Sequence, residues 1–276
     1  MDRPAHGIVD LHVHLFPPKM YEAVWDFFET RNWAVHHEYV EDVARTLTAH
    51  GVTLAAGLCY PHKTGVARSL NEFMESVGEK YPLFRPFATV HPDDADFREQ
   101  VDYALASPHL HGFKFQPLVQ MFDVNDARLD YLYERCQASS FPLIMHVGTA
   151  PVANEFVGVK HFRKLIKRYP DLRVCVAHMG GYEFNEFLYL MDEHPNVYLD
   201  TTMINVRTDL FDATWYGDEA ALLRHADRIC FGSDWPHVPY PYQEALDSLP
   251  RFPLPPKALV GVRGKNALCF LKENED

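Results

Sequence analysis

Apolar residues along the chain fall into short unbroken runs, at residues 7–16, 52–58, 83–90, 110–115, 142–147, 172–177, 197–200 and 228–232. Runs that stay apolar at successive positions, instead of alternating, mark strands buried on both faces, as in a parallel sheet. Between them lie stretches with helical spacing, at 39–50, 65–80, 93–107, 125–140, 155–168 and 182–194. A less regular one covers 209–225, and closing helices are expected at 241–249 and 264–274. Gly51 stops the first of these helices, Asp93 and Asp94 complement the dipole at the start of the third, and Asn125 is the expected N-cap of the fourth. Eight strand–helix units in 276 residues predict an α/β fold, a single (β/α)8 TIM barrel spanning residues 1–276. Such a barrel typically takes ~250 residues. One segment is extra. Pro17-Pro18 end the first strand, and residues 19–31 (KMYEAVWDFFETR) form an aromatic-rich helical insertion expected to cover the barrel mouth. No Gly-x-Gly-x-x-Gly follows a strand, so the nucleotide-binding alternative lacks its fingerprint.

Composition narrows the function. The apolar fraction of 47% can fill a large core, and the formal charge of −12 argues against nucleic acid or an anionic membrane surface as partner. No stretch approaches the ~20 apolar residues of a membrane span, and the start has no signal-peptide character. The expectation is a cytoplasmic protein acting on a small-molecule substrate. Five cysteines are widely spread, and an odd number argues against a secreted disulfide framework. Cys175 and Cys230 read as small buried hydrophobes. The 19–31 insertion also offers a surface for a homodimer or larger homo-oligomer.

The candidate chemistry lies at the strand ends. His12 and His14 are spaced i, i+2 in the first strand, so both side chains point to one face and can share a cation. Imidazole suits zinc, iron, copper or nickel better than calcium or magnesium. In a parallel barrel all strands end at one face, where active sites form. The same reading puts Lys114, His146, His178 and Asp234 at that face, on strands four, five, six and eight. Metal-binding and acid–base side chains at corresponding strand ends point to a metal site. Tyr60, His62, Gln116 and His237 lie near the same mouth.

Five motifs, Asp10-Leu11-His12-Val13-His14, Gly112-Phe113-Lys114-Phe115-Gln116-Pro117, Met145-His146-Val147-Gly148, Ala177-His178-Met179-Gly180-Gly181 and Phe231-Gly232-Ser233-Asp234-Trp235-Pro236-His237, span almost the whole chain. In this order they resemble the amidohydrolase superfamily, in its amidohydrolase 2 branch of hydrolases and nonoxidative decarboxylases. The resemblance implies one divalent metal ion, zinc in the first place, with manganese, iron or cobalt able to share such ligands. It implies His12, His14, His146 and Asp234 as ligands and His178 as a catalytic histidine, with Asp234 also able to accept a proton. Lys114 and His237 are expected to contact substrate; for Lys114 the alternatives are a strand-end lysine paired with a neighbouring carboxylate, or a carbamylated lysine that bridges two metals with His146 and His178. A bound ion brings the pKa of water toward ~7, so the first functional expectation is a hydrolase attacking a carbonyl centre. The alternative is a metal-dependent nonoxidative decarboxylase of a small aromatic or unsaturated carboxylic acid.

Overall fold

The structure, a computed structural model, describes residues 7–273. Residues 1–6 and 274–276, including the last position of the expected closing helix, lie outside them. The strands are β1 (Ile8–His14), β2 (Val52–Leu58), β3 (Phe84–Pro86), β4 (Phe113–Phe115), β5 (Leu143–Met145), β6 (Val174–Val176), β7 (Val197–Asp200) and β8 (Ile229–Cys230). After β1 come α1 (Pro18–Glu29) and α2 (Val40–Ala49), then α3 (Ala67–Lys80) after β2 and α4 (Phe97–Ala106) after β3. The short α5 (Pro117–Gln120) and α6 (Asp130–Ser139) follow β4, α7 (Val159–Arg168) follows β5, α8 (Phe184–Glu193) follows β6 and α9 (Glu219–Arg224) follows β7. After β8 the chain closes with α10 (Tyr242–Ser248), α11 (Pro256–Val260) and α12 (Asn266–Leu271). Among the described residues no helix is long and apolar enough to cross a membrane.

All strand pairs are parallel, in two runs ordered β1-β2-β3 and β4-β5-β6-β7-β8. Short pairings join the runs at both ends. Ala88, just past β3, bridges Phe113, with Ala88 N–H donating to the Gly112 carbonyl and Lys114 N–H to the Ala88 carbonyl, each at 2.8 Å. Val13 bridges Trp235, and the amides of Leu11, Asp234 and His14 donate to the carbonyls of Phe231, His12 and Trp235 at 2.9, 2.8 and 2.7 Å. The ring is thereby closed between β8 and β1, as the fold expectation requires.

Register divides the core into two layers. Lys114, Ile144, Cys175 and Tyr198 stand side by side on neighbouring strands. Ile144, Cys175 and Tyr198 belong to the inner cluster, with Val9, Leu11, Leu54, Cys230 and the α12 residues Leu268 and Phe270. The alternate positions, Leu143, Met145, Val174 and Val176, pack outward with helix residues such as Leu132, Phe162 and Phe187. Lys114 therefore points into the barrel and is fully buried.

Some boundaries differ from the pattern. The third strand holds its ladder only over Phe84–Pro86, and one further bond to β2 follows, from Phe87 N–H to the Gly57 carbonyl at 2.8 Å. The helix expected from residue 93 starts at Phe97, and the Asp94 carboxylate accepts Gly65 N–H at 2.6 Å instead of capping it. Asp126, not Asn125, caps the turn before α6 by accepting Arg128 N–H. Asn125 instead donates to Asp123 and to the His161 carbonyl. The insertion after β1 is α1, lying over the strand's end. Its Tyr21 hydroxyl donates to the His14 carbonyl at 3.0 Å, and Trp25 stacks on His37 with ring centroids 4.4 Å apart.

Candidate metal centre

The end of β1 is set by Asp10. Its Oδ1 accepts the backbone N–H of His12 at 3.0 Å and of Ser233 at 3.1 Å, and its Oδ2 accepts the Tyr242 hydroxyl at 2.9 Å. One carboxylate thus ties β1 to the segment after β8. Burial pushes this carboxyl up to about 7, against the opposing effect of those hydrogen bonds.

Beyond Asp10 the two β1 histidines stand side by side, ring centroids 5.1 Å apart. Asp234 reaches them from the other side of the seam, in the left-handed region at φ 64°, where Asp is better tolerated than most residues. Asp234 Oδ1 lies 3.3 Å from His12 Nε2 and 2.9 Å from His14 Nε2. Ligand atoms of His12, His14 and Asp234 all fall within 4.8 Å of one another. Donors ~2.0–2.2 Å from a shared ion sit ~3 Å apart, so this spacing fits a divalent metal. The side chains of His12 and His14 are 1% and 6% exposed and that of Asp234 14%, so the carboxylate is the edge open to the mouth.

Protonation states match. Burial, then Lys114, pulls the His12 imidazole down to about 4, and burial with His178 and Lys114 holds His146 well below its usual value. Neutral imidazoles at pH 7 are what a metal requires. Burial alone would raise the Asp234 carboxyl, but the closeness of His14, His12 and His178 holds it well below the usual range.

The hydrogen bonds assign the tautomers. His12 Nδ1–H donates to Asp200 Oδ2 at 2.9 Å, leaving the Nε2 lone pair toward Asp234. His178 Nδ1–H donates to the Thr202 carbonyl at 3.2 Å, so its Nε2 accepts His146 Nδ1–H at 3.1 Å. His146 Nε2 is then a buried lone pair without a hydrogen-bond partner, as is Asp234 Oδ1. Orphaned buried acceptors are costly unless something fills them, and a cation does so. His146 lies outside the tight cluster of three, but its free atom makes it the natural fourth donor. His178, also left-handed at φ 56°, meets it because Gly148 and Gly180 touch; a Cβ on Gly148 would lie 2.3 Å from the Gly180 backbone.

The other candidates spread around this core. Lys114 Nζ sits 3.2 Å from His12 Nε2, inside the barrel, so ammonium and cation compete for one lone pair. Burial brings this amine down to about 8, against the pull of Asp200 and Asp234. His237 is buried with both ring nitrogens unpartnered, in a box of His14, Phe16, Tyr21 and Phe28 at centroid distances of 5.7–5.9 Å. Tyr60 packs edge-on against His14, Gln116 is buried with an unpartnered Oε1, and His62 is exposed. The Trp235–Pro236 peptide is cis. A crevice lined by Pro151, His178, Tyr182, Met203, Ile204 and Phe211 reaches His178. In the sequence Asp10 stands out only as part of the first motif, and Asp200 only as the last residue of an apolar run. The available signal was that Asp200, like the histidines, ends a buried strand.

The family model described as Amidohydrolase matches residues 9–272. The chain belongs to the amidohydrolase family. No curated protein sequence matches the chain. Its structure resembles an uncharacterised TIM-barrel protein from Bordetella bronchiseptica, with TM-score 0.73, 20% identity, and coverage of 96% of this chain and 98% of that one. It also resembles a 2,6-dihydroxybenzoate decarboxylase complexed with 2,6-dihydroxybenzoate, with TM-score 0.72, 16% identity and coverage of 97% and 99%. A dihydroxybenzoic acid decarboxylase from Polaromonas, solved with manganese and 2-nitroresorcinol, gives TM-score 0.69, 16% identity and coverage of 98% of both chains. At these identities the likeness shows the TIM-barrel fold.

Proposed function

We propose that this member of the amidohydrolase family is a metal-dependent nonoxidative decarboxylase of a small aromatic or unsaturated carboxylic acid. The observation that carries the reading is the convergence of His12 Nε2, His14 Nε2 and Asp234 Oδ1 beside a wall of flat rings. Phe16 and His237 stack on His14, and Tyr60 meets it edge-on. Two structures of the same fold named as dihydroxybenzoate decarboxylases, one with bound manganese, support the choice. Hydrolysis at a carbonyl centre, the first expectation from the sequence, gives way to its alternative on this ground.

His12, His14, Asp234 and His146 would hold the ion; zinc and manganese both suit nitrogen and oxygen donors. When bound, the ion would act as a Lewis acid toward the substrate carboxylate and an adjoining hydroxyl. Asp234, ionised and open to the mouth, takes the proton of that hydroxyl and returns it to the carbon that loses its carboxyl group. The C–C bond breaks, carbon dioxide leaves, a C–H bond forms, and the product oxygen regains its proton from water. His178 keeps His146 in the correct tautomer, and His237 with Phe28 closes the mouth over the substrate. Protein loaded with zinc or manganese is assayed against hydroxybenzoates and unsaturated hydroxy acids. Carbon dioxide release without uptake of water is expected. Ring opening of a lactone or cleavage of an amide, with no carbon dioxide from any acid, would overturn the proposal.

A further inference from the structure

Asp200 ends β7 with a fully buried carboxylate whose two oxygens serve different histidines. Oδ2 accepts His12 Nδ1–H at 2.9 Å. Oδ1 accepts the backbone N–H of His178 at 2.9 Å and of Thr202 at 3.1 Å. The Thr202 carbonyl in turn accepts His178 Nδ1–H at 3.2 Å, and His178 Nε2 accepts His146 Nδ1–H at 3.1 Å. Two hydrogen-bonded lines therefore leave one carboxylate. The first ends on Nε2 of His12 and the second on the unpartnered Nε2 of His146.

We propose that Asp200 is the positioning residue of the metal centre, setting the tautomers of His12 and His146 so that both Nε2 lone pairs face one ion. Asp200 touches neither substrate nor ion in this scheme and acts only through the histidines. The inference rests on the metal-dependent reading above. Its logic is that of a ligating histidine whose other ring nitrogen is held by a carboxylate, which fixes ring and tautomer together. Here the carboxylate has a second duty. By holding the amides of residues 178 and 202 on its other oxygen, it fixes where the backbone acceptor for His178 stands. One side chain thus aligns donors from β1 and β5 although it belongs to β7.

An amide cannot do both jobs. In Asp200→Asn, two backbone N–H groups hold the amide oxygen in the place of Oδ1, so the NH2 group faces His12 Nδ1. That group can only donate, which moves the His12 proton to Nε2 and removes the lone pair a metal needs. The substitution is isosteric and keeps the backbone bonds of the β7 end.

The test uses the whole chain and two readouts besides activity. In metal-free protein labelled with 15N-histidine, with the His12 signals assigned from a His12→Asn spectrum, the wild type should carry the His12 proton on Nδ1 and Asp200→Asn on Nε2. In competition with a chelator, affinity for zinc or manganese should fall 10–100-fold in Asp200→Asn. A wild-type His12 proton on Nε2 overturns the proposal, and this measurement decides the matter even where the variant does not fold. Metal bound equally by the wild type and Asp200→Asn overturns this proposal alone. A wild type that binds neither ion overturns it together with the metal-dependent reading.

Discussion

His178 Nε2 lies 3.1 Å from His146 Nδ1, so a single proton joins the ends of β5 and β6. That proton keeps the outer nitrogen of His146 bare. In His178→Asn the left-handed backbone at this position is retained, since Asn tolerates positive φ well, but His146 loses the ring that accepts its proton. Metal affinity is expected to fall about 10–100-fold while a saturated chain still holds its ion. Turnover is expected to fall about 10–100-fold as well. Metal content per chain and carbon dioxide release check this; two ions in the wild type and one in the variant would make His178 a ligand instead.

The same contact depends on glycine. A Cβ at residue 148 would meet three backbone atoms of Gly180 at 2.3–2.6 Å, and backbone cannot swing aside as a side-chain tip does. Gly148→Ala should cost about 1–3 kcal/mol, the usual range for overpacking, and should weaken metal binding because it pries His146 from His178. Urea unfolding and a chelator competition read the two effects separately.

Asp10 predicts a pH dependence. Its carboxyl rises from 3.8 to about 7 on folding, so the folded protein favours the protonated form. This contribution is fully present below the unfolded value and is lost as pH climbs from about 4 to about 7, because folding must then hold a buried charge. Asp10→Asn keeps an oxygen for the amides of His12 and Ser233 and carries no charge. Its stability should therefore change less between pH 5 and pH 7.5 than that of the wild type, by an amount on the order of 1–3 kcal/mol. Denaturant midpoints at the two pH values, with chelator present, measure the difference.

Removing the metal should silence the enzyme. Dialysis against a chelator is expected to abolish carbon dioxide release, and zinc or manganese to restore it. His12→Ala and Asp234→Asn should stay silent after either addition. An undiminished rate in metal-free protein would refute the role given to the cluster.

Much of this design is legible along the chain. Strands buried on both faces announce themselves as unbroken apolar runs, and the two-residue spacing of His12 and His14 survives folding as neighbouring rings. The aromatic content of the 19–31 segment is legible as the cover it becomes, with Phe28 against His237. Asp200 is hidden for a different reason. Its partner His12 lies 188 residues away, and one acidic residue at a strand end resembles any other until the ring closes. The left-handed backbones of His178 and Asp234 are equally invisible, because non-glycine residues adopt them only where the surroundings hold them.

The seam between β8 and β1 runs through the cluster, with His12 and His14 on one side and Asp234 on the other. A cation seated there is a rivet through the last joint of the ring. The amides of His14 and Asp234, which stitch that joint, then act as gauges of occupancy: their hydrogens should exchange with solvent more slowly in loaded protein than in stripped protein. Binding can be followed at these two positions before any substrate is in hand.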